Sequence, residues 1–205
     1  MAQVKLECLP VGEMGVNCYI LENAGTGQCL VVDPGDEGAR IIETVGERKV
    51  CAVLLTHGHF DHIGAVDQVC TAFDAPLYIH AGDLPKLTDS YANVGGIFGF
   101  EVLVNTPAHP LEDGDVIGDA GFPVQVLHTP GHSNGSVCYL LPEGAGVLTG
   151  DTLFAHGYGR TDFPDGDMNT LIQSFRKLFR ISPRQTAWPG HEGTGLVGRD
   201  KPEDA

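Results

Sequence analysis

Basic residues are scarce in this sequence, which has 12 Lys and Arg against 27 Asp and Glu and a formal net charge of −15. A field of this sign repels phosphate backbones and anionic membranes. Long apolar runs are absent as well, and the first residues, MAQVKLECLPV, lack a basic segment followed by an apolar one. We therefore expect a soluble, cytoplasmic protein that binds neither nucleic acid nor a membrane.

Closely spaced cysteine pairs are a second absence. The six cysteines occur singly, never as CxxC, and most have apolar neighbours; they are Cys8, Cys18, Cys29, Cys51, Cys70 and Cys138. Isolated cysteines among Val, Leu and Tyr are typical of buried, reduced thiols rather than of disulfides. This interpretation agrees with a cytoplasmic location.

Internal repeats, low-complexity segments and linkers are absent too. A chain of 205 residues is long enough to bury a full core and is of ordinary size for one domain. We predict a single domain over residues 1–205, with a loose tail from about residue 196.

Short strand-like runs, separated by many of the 28 glycines and 13 prolines, dominate the pattern. The runs are VKLECLPV, NCYILEN, QCLVVDPG, VCAVLLTH, APLYIHAG, FPVQVLHTPGH, SVCYLLPEG, GVLTGDTLF and QTAWPGHEG. Helical spacing of apolar residues is confined to segments 38–48, 63–73 and 168–180, of which the last is clearest. Such a pattern predicts two packed sheets with helices outside them.

The segment THGHFDH crowds metal-competent side chains directly behind an apolar run. They are His57, His59, Asp61 and His62. A strand that ends at Thr56 would deliver them to the carboxyl edge of a sheet, and Gly58 lets the backbone turn sharply between two imidazoles. A lone histidine would indicate no more than a polar loop, but four such groups together have few structural uses.

Three later segments repeat the same arrangement of a strand-like run, a glycine turn and a ligand. HTPGHSNGS contains His132, LTGDTLF contains Asp151 and AWPGHEG contains His191. If these loops meet at one rim of the sheets, the candidate ligands number five imidazoles and two carboxylates.

Seven ligands exceed the four of a closed tetrahedral site, which favours two metals that share a carboxylate and leave positions open for water. Asp151 is the natural bridge because it lies apart from the main cluster. Two dications lower the pKa of a bound water from ~15.7 to ~7, so a hydroxide held between them would be the nucleophile. We expect two divalent ions, zinc in the first place, with iron or manganese as alternatives.

Taken in order, THGHFDH, TPGHSNGS, TGDTLF and PGHEG resemble the motifs of the metallo-β-lactamase superfamily, and the match extends from VNCYIL and VVDPG to PGHEG. The resemblance implies an αββα four-layer sandwich in the α/β class. It also implies that His57, His59 and His132 bind the first metal, that Asp61, His62 and His191 bind the second, and that Asp151 bridges them.

Within the superfamily, Asp151 distinguishes branches. Common metallo-β-lactamases place a cysteine at this step, whereas an aspartate is similar to the glyoxalase II, lactonase and oxidoreductase branches. GDTLFAHGYGRTDFPDGD looks most like short, glyoxalase-II-like hydrolases, with persulfide dioxygenases as relatives that share GRTDF.

The resemblance to glyoxalase II is incomplete at the positions that bind glutathione. Arg160 can supply the expected basic residue, but Asp162 and Gly193 stand where tyrosines are expected, and fourteen residues follow His191, too few for the C-terminal helical domain. Arg160 is therefore a candidate substrate-binding residue, with glutathione recognition that is weak or built differently. The alternative is that Arg160 simply pairs with Asp162.

These observations lead to one main hypothesis and its alternatives. We predict a dinuclear metal-dependent hydrolase of a small thioester, in which Asp61 binds the second metal and orients the hydroxide. The alternatives are a mononuclear iron persulfide dioxygenase, which uses a subset such as His57, His132 and Asp151, and a lactonase-type hydrolase. A non-catalytic metal site is disfavoured because structural sites are closed.

Two further segments receive structural interpretations. Asp33, in VVDPGD, is expected to hold a turn near the site rather than to act in catalysis. The glycine-rich segment NVGGIFGF, residues 93–100, is either a flexible lid or a packing element.

Overall fold

Residues 3–142, 144–181 and 184–197 are described by a computed structural model of the chain. Its first sheet has six strands in sequential order. They are β1 (Val4–Val11), β2 (Val16–Asn23), β3 (Gln28–Val32), β4 (Lys49–Leu54), β5 (Leu77–His80) and β6 (Ala108–Leu111). The first three strands are antiparallel, and β3 to β6 run parallel to one another.

The second sheet also has six strands, in the order β12-β11-β10-β9-β8-β7. They are β7 (Val116–Ile117), β8 (Val124–His128), β9 (Val137–Leu140), β10 (Val147–Gly150), β11 (Thr186–Pro189) and β12 (Gly195–Leu196). Only the pair β10 and β11 is parallel within this sheet as the structure describes it.

Within the described residues, four α-helices accompany the sheets: α1 (Gly38–Val45), α2 (Phe60–Ile63), α3 (Val66–Phe73) and α4 (Met168–Ile181). Two 3-10 turns, Ala81–Leu87 and Gly95–Ile97, lie on the connection from β5 to β6. No helix within the described ranges is both long and apolar enough to span a bilayer.

Alternation of buried side chains along the central strands creates the layers. In β2, Cys18 and Ile20 pack in a core that also contains Ile41 of α1 and Val69 of α3. The intervening Tyr19 belongs instead to a core shared with the second sheet. Strands buried on both faces therefore separate an outer helical layer from the sheet-to-sheet interface.

The second sheet is covered on its outer face by α4. Tyr139 and Leu148 point into the core between the sheets, whereas Cys138 and Val147 pack with Leu178 of α4 on the other side. Three cores thus separate four layers. The predicted αββα sandwich is confirmed, and the amphipathic segment 168–180 is helix α4 with one further residue.

Some strands and helices agree with the predictions from the sequence, and others differ. Strand β1 coincides with the run VKLECLPV, but the sequence pattern did not indicate β6, β7 or β12. β6 contains Pro110, which removes a backbone donor and is tolerated at the edge of the sheet where β6 lies. The predicted helix 63–73 is shorter in the structure, because α3 begins at Val66 and Ile63 is the last residue of α2.

The division between α2 and α3 coincides with a close approach of backbones. A Cβ added at Gly64 would lie 2.3 Å from the carbonyl oxygen of Gly35, and one added at Gly35 would lie 1.9 Å from that of Asp61. The VDPG turn after β3 can therefore pack directly on α2 only because both positions are glycine. This contact brings Asp33 beside the histidine cluster.

The tail predicted from about residue 196 overlaps the described residues only at Leu196 and Val197. Gly195 and Leu196 form β12 against β11, and the side chain of Val197 is buried. The remainder of the predicted tail, residues 198–205, lies outside the described residues.

Candidate metal centre

All seven predicted ligands follow the ends of strands, and the fold gathers them at one site. His57, His59, Asp61 and His62 come after β4, while His132, Asp151 and His191 follow β8, β10 and β11 respectively. Three groups have ligand atoms within 4.8 Å of one another. They are His57–His59–His132, His57–His62–Asp151 and Asp61–His62–His191.

The carboxylate of Asp151 lies between the other ligands. Its Oδ1 is 3.5 Å from Nε2 of His62, and its Oδ2 is 3.5 Å from Nε2 of His132 and 3.6 Å from Nε2 of His191. His132 belongs to one group of ligands and His191 to another. One carboxylate therefore faces both halves of the cluster, as a bridging ligand must.

Buried polar atoms without partners test whether the cluster fits metal ions. Among the described residues, four buried side-chain nitrogen or oxygen atoms have no hydrogen-bond partner, and all four belong to this cluster: Nε2 of His57, His59 and His62 and Oδ1 of Asp151. An unpaired buried polar atom is costly, so such atoms indicate a ligand. Nitrogen and carboxylate donors with open positions suit divalent zinc, iron or manganese.

Burial keeps two of the imidazoles in the form that binds metal. It lowers the pKa of His57 and of His59 well below the usual value, and the neighbouring imidazoles lower both further. Both rings are consequently neutral at pH 7. Neutral imidazole carries the free lone pair that coordination needs.

The acidic half of the cluster has the opposite balance. Burial alone would lower the pKa of His62, but Asp151, Asp61 and Asp33 outweigh it and raise this pKa to about 10. Burial alone would raise the pKa of Asp61, but His62 and His191 hold it well below its usual range. Positive charge among these carboxylates is therefore strongly favoured, which is what a dication supplies.

Asp33 has a larger part than the sequence indicated. It adopts φ 51° in the turn after β3, as expected for a turn residue. Its carboxylate also lies 3.1 Å from Nδ1 of His62 and accepts hydrogen bonds from the backbone and hydroxyl of Thr56. A carboxylate on the far nitrogen of a ligating histidine fixes the tautomer and orientation of the ring. The sequence signal for a residue near the site was an aspartate directly after the apolar run CLVV, but nothing in it indicated the contact with His62.

Backbone carbonyls orient two other imidazoles. Nδ1 of His132 is 2.7 Å from the carbonyl oxygen of Arg160, and Nδ1 of His191 is 3.1 Å from that of Met14. Each Nδ1 therefore carries the proton and donates it, which directs Nε2 into the cluster, where Nε2 of His132 lies 2.9 Å from Nδ1 of His59 and Nε2 of His191 lies 3.4 Å from Oδ2 of Asp61.

Asp83, which sequence reasoning missed, connects two of the ligand loops. Its buried carboxylate accepts hydrogen bonds from the backbone of Gly58, the hydroxyl of Ser133 and the backbone of Gly135. Burial raises the pKa of Asp83, and Lys86 and these donors offset only part of that. The loop between His57 and His59 is thereby fastened to the loop after His132.

Arg160 borders the pocket over the cluster but is already paired. Its Nε and one terminal nitrogen each donate to the carboxylate of Asp162 at 2.6 Å. The guanidinium also lies 4.2 Å from the centre of the Phe163 ring. The pairing that the sequence left open is therefore present, and the positive charge of Arg160 is countered by its own loop.

The pocket above the cluster has a volume of about 320 Å³. Besides Arg160 and ligands of the cluster, it is lined by Met14, Phe60, Val94, Phe98, Phe154, Gly159 and Phe163. Its wall outside the ligands is thus mainly apolar, a common composition for small-molecule sites.

The motifs, the four layers and the ligand geometry agree with a match to the model of the metallo-β-lactamase superfamily over residues 11–191. The chain belongs to this superfamily. It is 38% identical over 186 residues to a probable metallo-hydrolase, YqgX, of Bacillus subtilis, with 89% of this chain and 87% of the relative covered. It is 32% identical over 206 residues to the hydroxyacylglutathione hydrolase GloC of Haemophilus influenzae, with coverage of 97% and 95%.

Solved structures show the same relationship. The B3 metallo-β-lactamase BLEG-1 is similar with a TM-score of 0.90 and 34% identity, and the match covers 95% of both chains. The protein TTHA1623, solved in a di-iron-bound form, is similar with a TM-score of 0.82 and 35% identity over 94% of this chain and 95% of that one. The chain is therefore a metallo-hydrolase of this superfamily, and its site is of the kind that binds divalent metal.

Proposed function

We propose that this superfamily member is a dinuclear metal-dependent hydrolase of a small thioester. The observation that carries the proposal is the position of Asp151, whose Oδ2 lies 3.5 Å from Nε2 of His132 in one group of ligands and 3.6 Å from Nε2 of His191 in the other, while its Oδ1 faces His62. A carboxylate shared between two groups of ligands favours two ions over one.

The proposed ligands are the seven residues that the fold gathers. His57, His59 and His132 would hold one ion, and Asp61, His62 and His191 the other. Asp151, which lies near ligands of both groups, would bind both ions. We propose zinc in the first place, with iron or manganese as alternatives, since nitrogen and carboxylate donors suit all three. When bound, the ions supply a water that is nucleophilic at neutral pH and a Lewis acid for the carbonyl oxygen.

Asp61 is the proposed catalytic carboxylate. Its Oδ2 lies 3.4 Å from Nε2 of His191, and its pKa is held well below the usual range by His62 and His191 despite burial. The group therefore stays ionised at working pH and can accept a hydrogen bond from the attacking water, which orients that water toward the carbonyl carbon.

The similarity to GloC supports a thioester as substrate, but the geometry of the site favours weak binding of glutathione. The guanidinium of Arg160 already forms an ion pair with Asp162, so this candidate substrate-binding residue offers little net positive charge to an anionic thiol. We infer that lactoylglutathione is hydrolysed modestly and that smaller or uncharged thioesters are hydrolysed at least as well.

The substrate class and location follow from the same properties. With a net charge of −15, the protein is proposed to act on a small molecule rather than on nucleic acid or at a membrane. All six cysteines are free thiols in the structure, which supports a reducing, cytoplasmic setting.

A single pair of measurements tests the proposal. Metal analysis of the purified, metal-saturated protein should give close to two ions per chain, and a turnover panel of thioesters, lactones, β-lactams and persulfides should show thioester hydrolysis that does not depend on oxygen. The β-lactam arm is included because BLEG-1 is a structural neighbour. Oxygen consumption with a persulfide, and no turnover of any thioester, would replace the hydrolase with the dioxygenase alternative.

A further inference from the structure

Three phenylalanines form one side of the pocket above the metal centre. We call Phe60, Phe98 and Phe163 the aromatic wall. The ring centres of Phe60 and Phe98 are 6.0 Å apart, and those of Phe98 and Phe163 are 6.2 Å apart in an edge-to-face arrangement. Phe163 in turn packs edge-to-face on His59 at 5.4 Å. The wall therefore runs from the pocket mouth down to a metal-ligand imidazole.

Phe98 is the exposed member of the wall, with 51% of its surface accessible. Its segment is nevertheless fixed by hydrogen bonds, because the backbone of Phe98 donates to Gly95 and the backbone of Phe60 donates to Asn93. The fully buried Asn93 also donates its side-chain amide to the carbonyls of Lys86 and Val102. Of the two interpretations of residues 93–100, these bonds support a packed element that holds an aromatic ring over the pocket.

The outer edge of the wall carries little net charge. The guanidinium of Arg160 covers the face of Phe163, but the carboxylate of Asp162 pairs with it through two hydrogen bonds. On the side of His191, Phe154 packs edge-to-face at 6.1 Å. A substrate at the metal centre would consequently have aromatic rings on two sides and the paired Arg160 and Asp162 at the rim of the pocket.

We propose that the aromatic wall is the subsite for an uncharged aromatic or branched aliphatic group of the thioester, and that Phe98 determines this specificity. The proposal rests on the proposed thioester hydrolase function and names its substrate class. A ring-sized group would cover the exposed face of Phe98 and gain the free energy of apolar burial and aromatic contact. A pocket of about 320 Å³ is large enough to admit such a group.

The direct test is Phe98→Ala, with Tyr91→Ala as the matched control. Tyr91 is an exposed aromatic residue of the neighbouring turn that does not line the pocket. Three thioesters are compared: methyl thioacetate, benzyl thioacetate and the methyl thioester of phenylacetic acid. For each thioester, kcat/KM of the variant is divided by that of the unsubstituted protein, which cancels differences in intrinsic reactivity.

We expect Phe98→Ala to lower kcat/KM about tenfold for at least one aromatic thioester, since the lost contact is of the order of one buried apolar group. For methyl thioacetate, the ratio of kcat/KM in Phe98→Ala to that of the unsubstituted protein should stay near one. In Tyr91→Ala, the ratios for all three thioesters should stay near one. Equal losses on all three thioesters in Phe98→Ala, or no loss on either aromatic one, would overturn the proposal.

Asp162→Asn tests separately whether the pairing of Arg160 with Asp162 sets the preference for uncharged substrates. It removes the negative charge that counters the guanidinium of Arg160 and leaves the three phenylalanines in place, so kcat/KM for lactoylglutathione should rise several-fold while that for benzyl thioacetate stays constant. An unchanged value for lactoylglutathione would show that the pairing does not set the preference for uncharged substrates.

A binding measurement separates failure of this proposal from failure of the proposed function. Benzylacetone and butanone are the inert ketone counterparts of benzyl and methyl thioacetate. Ligand-observed NMR with the metal-loaded protein should show that benzylacetone binds more tightly than butanone and that Phe98→Ala removes the difference. If no thioester is turned over but this difference appears, the wall is an apolar subsite of another reaction. If thioesters are turned over without it, the wall has no such role.

Discussion

At the scale of single residues, a few buried carboxylates organise the site. Asp151 faces ligands in both halves of the cluster, Asp33 holds the far nitrogen of His62, and Asp61 lies beside His191. Each carboxylate neighbours an imidazole rather than a lysine or arginine. Their negative charge is therefore directed at the place where the cations would sit.

The first prediction concerns Asp151→Ala. Removal of a ligand shared by both ions should abolish turnover and reduce the bound metal to one ion or fewer per chain, while the domain stays folded. Metal analysis and circular dichroism of the purified variant check this. Asp119→Ala, which removes an exposed carboxylate outside the cluster, serves as the control and should keep both metal and activity. Normal turnover in Asp151→Ala would refute the bridging assignment.

At the scale of elements, the site depends on how loops are fastened to one another. The packing of the VDPG turn on α2 through Gly35 and Gly64 positions Asp33. The 3-10 turn Ala81–Leu87 carries Asp83, which joins the loop at Gly58 to the loop at Gly135. Elements without any ligand of their own thus determine the ligand geometry.

Asp83→Ala should therefore weaken both the fold and the metal site. Three donors lose their acceptor, two of them backbone groups of ligand loops, so we expect a loss of about 2–4 kcal/mol in unfolding free energy and a lower metal affinity. Denaturant unfolding and competition with a chelator measure the two effects. In the control Asp89→Ala, only local bonds to Tyr91 and Ala92 are lost, and metal affinity should not change. If metal affinity is unaltered in Asp83→Ala, Asp83 contributes to the stability of the fold but not to the metal site.

Away from the cluster, Asp67 of α3 holds the segment Asn105–Thr106 through hydrogen bonds whose strength depends on pH. Its carboxylate accepts hydrogen bonds from the backbone and side chains of Asn105 and Thr106. Burial alone would raise the pKa of Asp67, but these bonds, that of the Thr106 hydroxyl first, outweigh it and lower the pKa. The stabilisation is therefore present above the usual carboxyl pKa and is lost as pH falls through the lowered value in the folded protein.

Asp67→Asn should accordingly destabilise the protein by about 1–2 kcal/mol at neutral pH, and by progressively less as the pH drops below about 4. Denaturant unfolding of both proteins across this range measures the difference. Asp119→Asn is the matched control and should follow the unsubstituted protein throughout. A difference that stays constant with pH would show that the charge of Asp67 is not what stabilises the Asn105–Thr106 segment.

At the scale of the whole molecule, the net charge of −15 acts on substrate encounter. Long-range repulsion between a strongly anionic protein and an anionic thioester is screened by salt, with a Debye length of about 10 Å at 0.1 M. We therefore expect the net charge to add to the effect of the paired Arg160 and to disfavour anionic glutathione conjugates as substrates.

Salt should therefore raise kcat/KM for lactoylglutathione and leave that for benzyl thioacetate nearly constant. The reason is that screening removes a repulsion which only the anionic substrate experiences. Steady-state kinetics from low to physiological ionic strength check this, with the uncharged thioester as the internal control. A decrease for lactoylglutathione would indicate that local attraction at the site dominates the overall charge.

The amino-acid sequence by itself determined the identity of the seven candidate ligands and the layered fold. Both are local in origin: ligands directly follow apolar runs, and the period of burial within each run indicates a strand or a helix. The segment VKLECLPV and the helix at 168–180 appear in the structure almost as the pattern predicts. Strand β6 does not, because its Pro110 and His109 carry no strand signal and its pairing with β5 is a tertiary contact.

Only the tertiary structure decided which distant residues support the ligands. Asp33 reaches His62 across 29 residues and Asp83 reaches Ser133 across 50, and no spacing along the chain indicates either contact. The pairing of Arg160 with Asp162 instead of a substrate, and the alignment of Phe60, Phe98 and Phe163, likewise depend on how three loops meet. The candidate ligands thus lie in local motifs, whereas their supporting contacts and the lining of the pocket arise from non-local packing, which spacing along the chain does not encode.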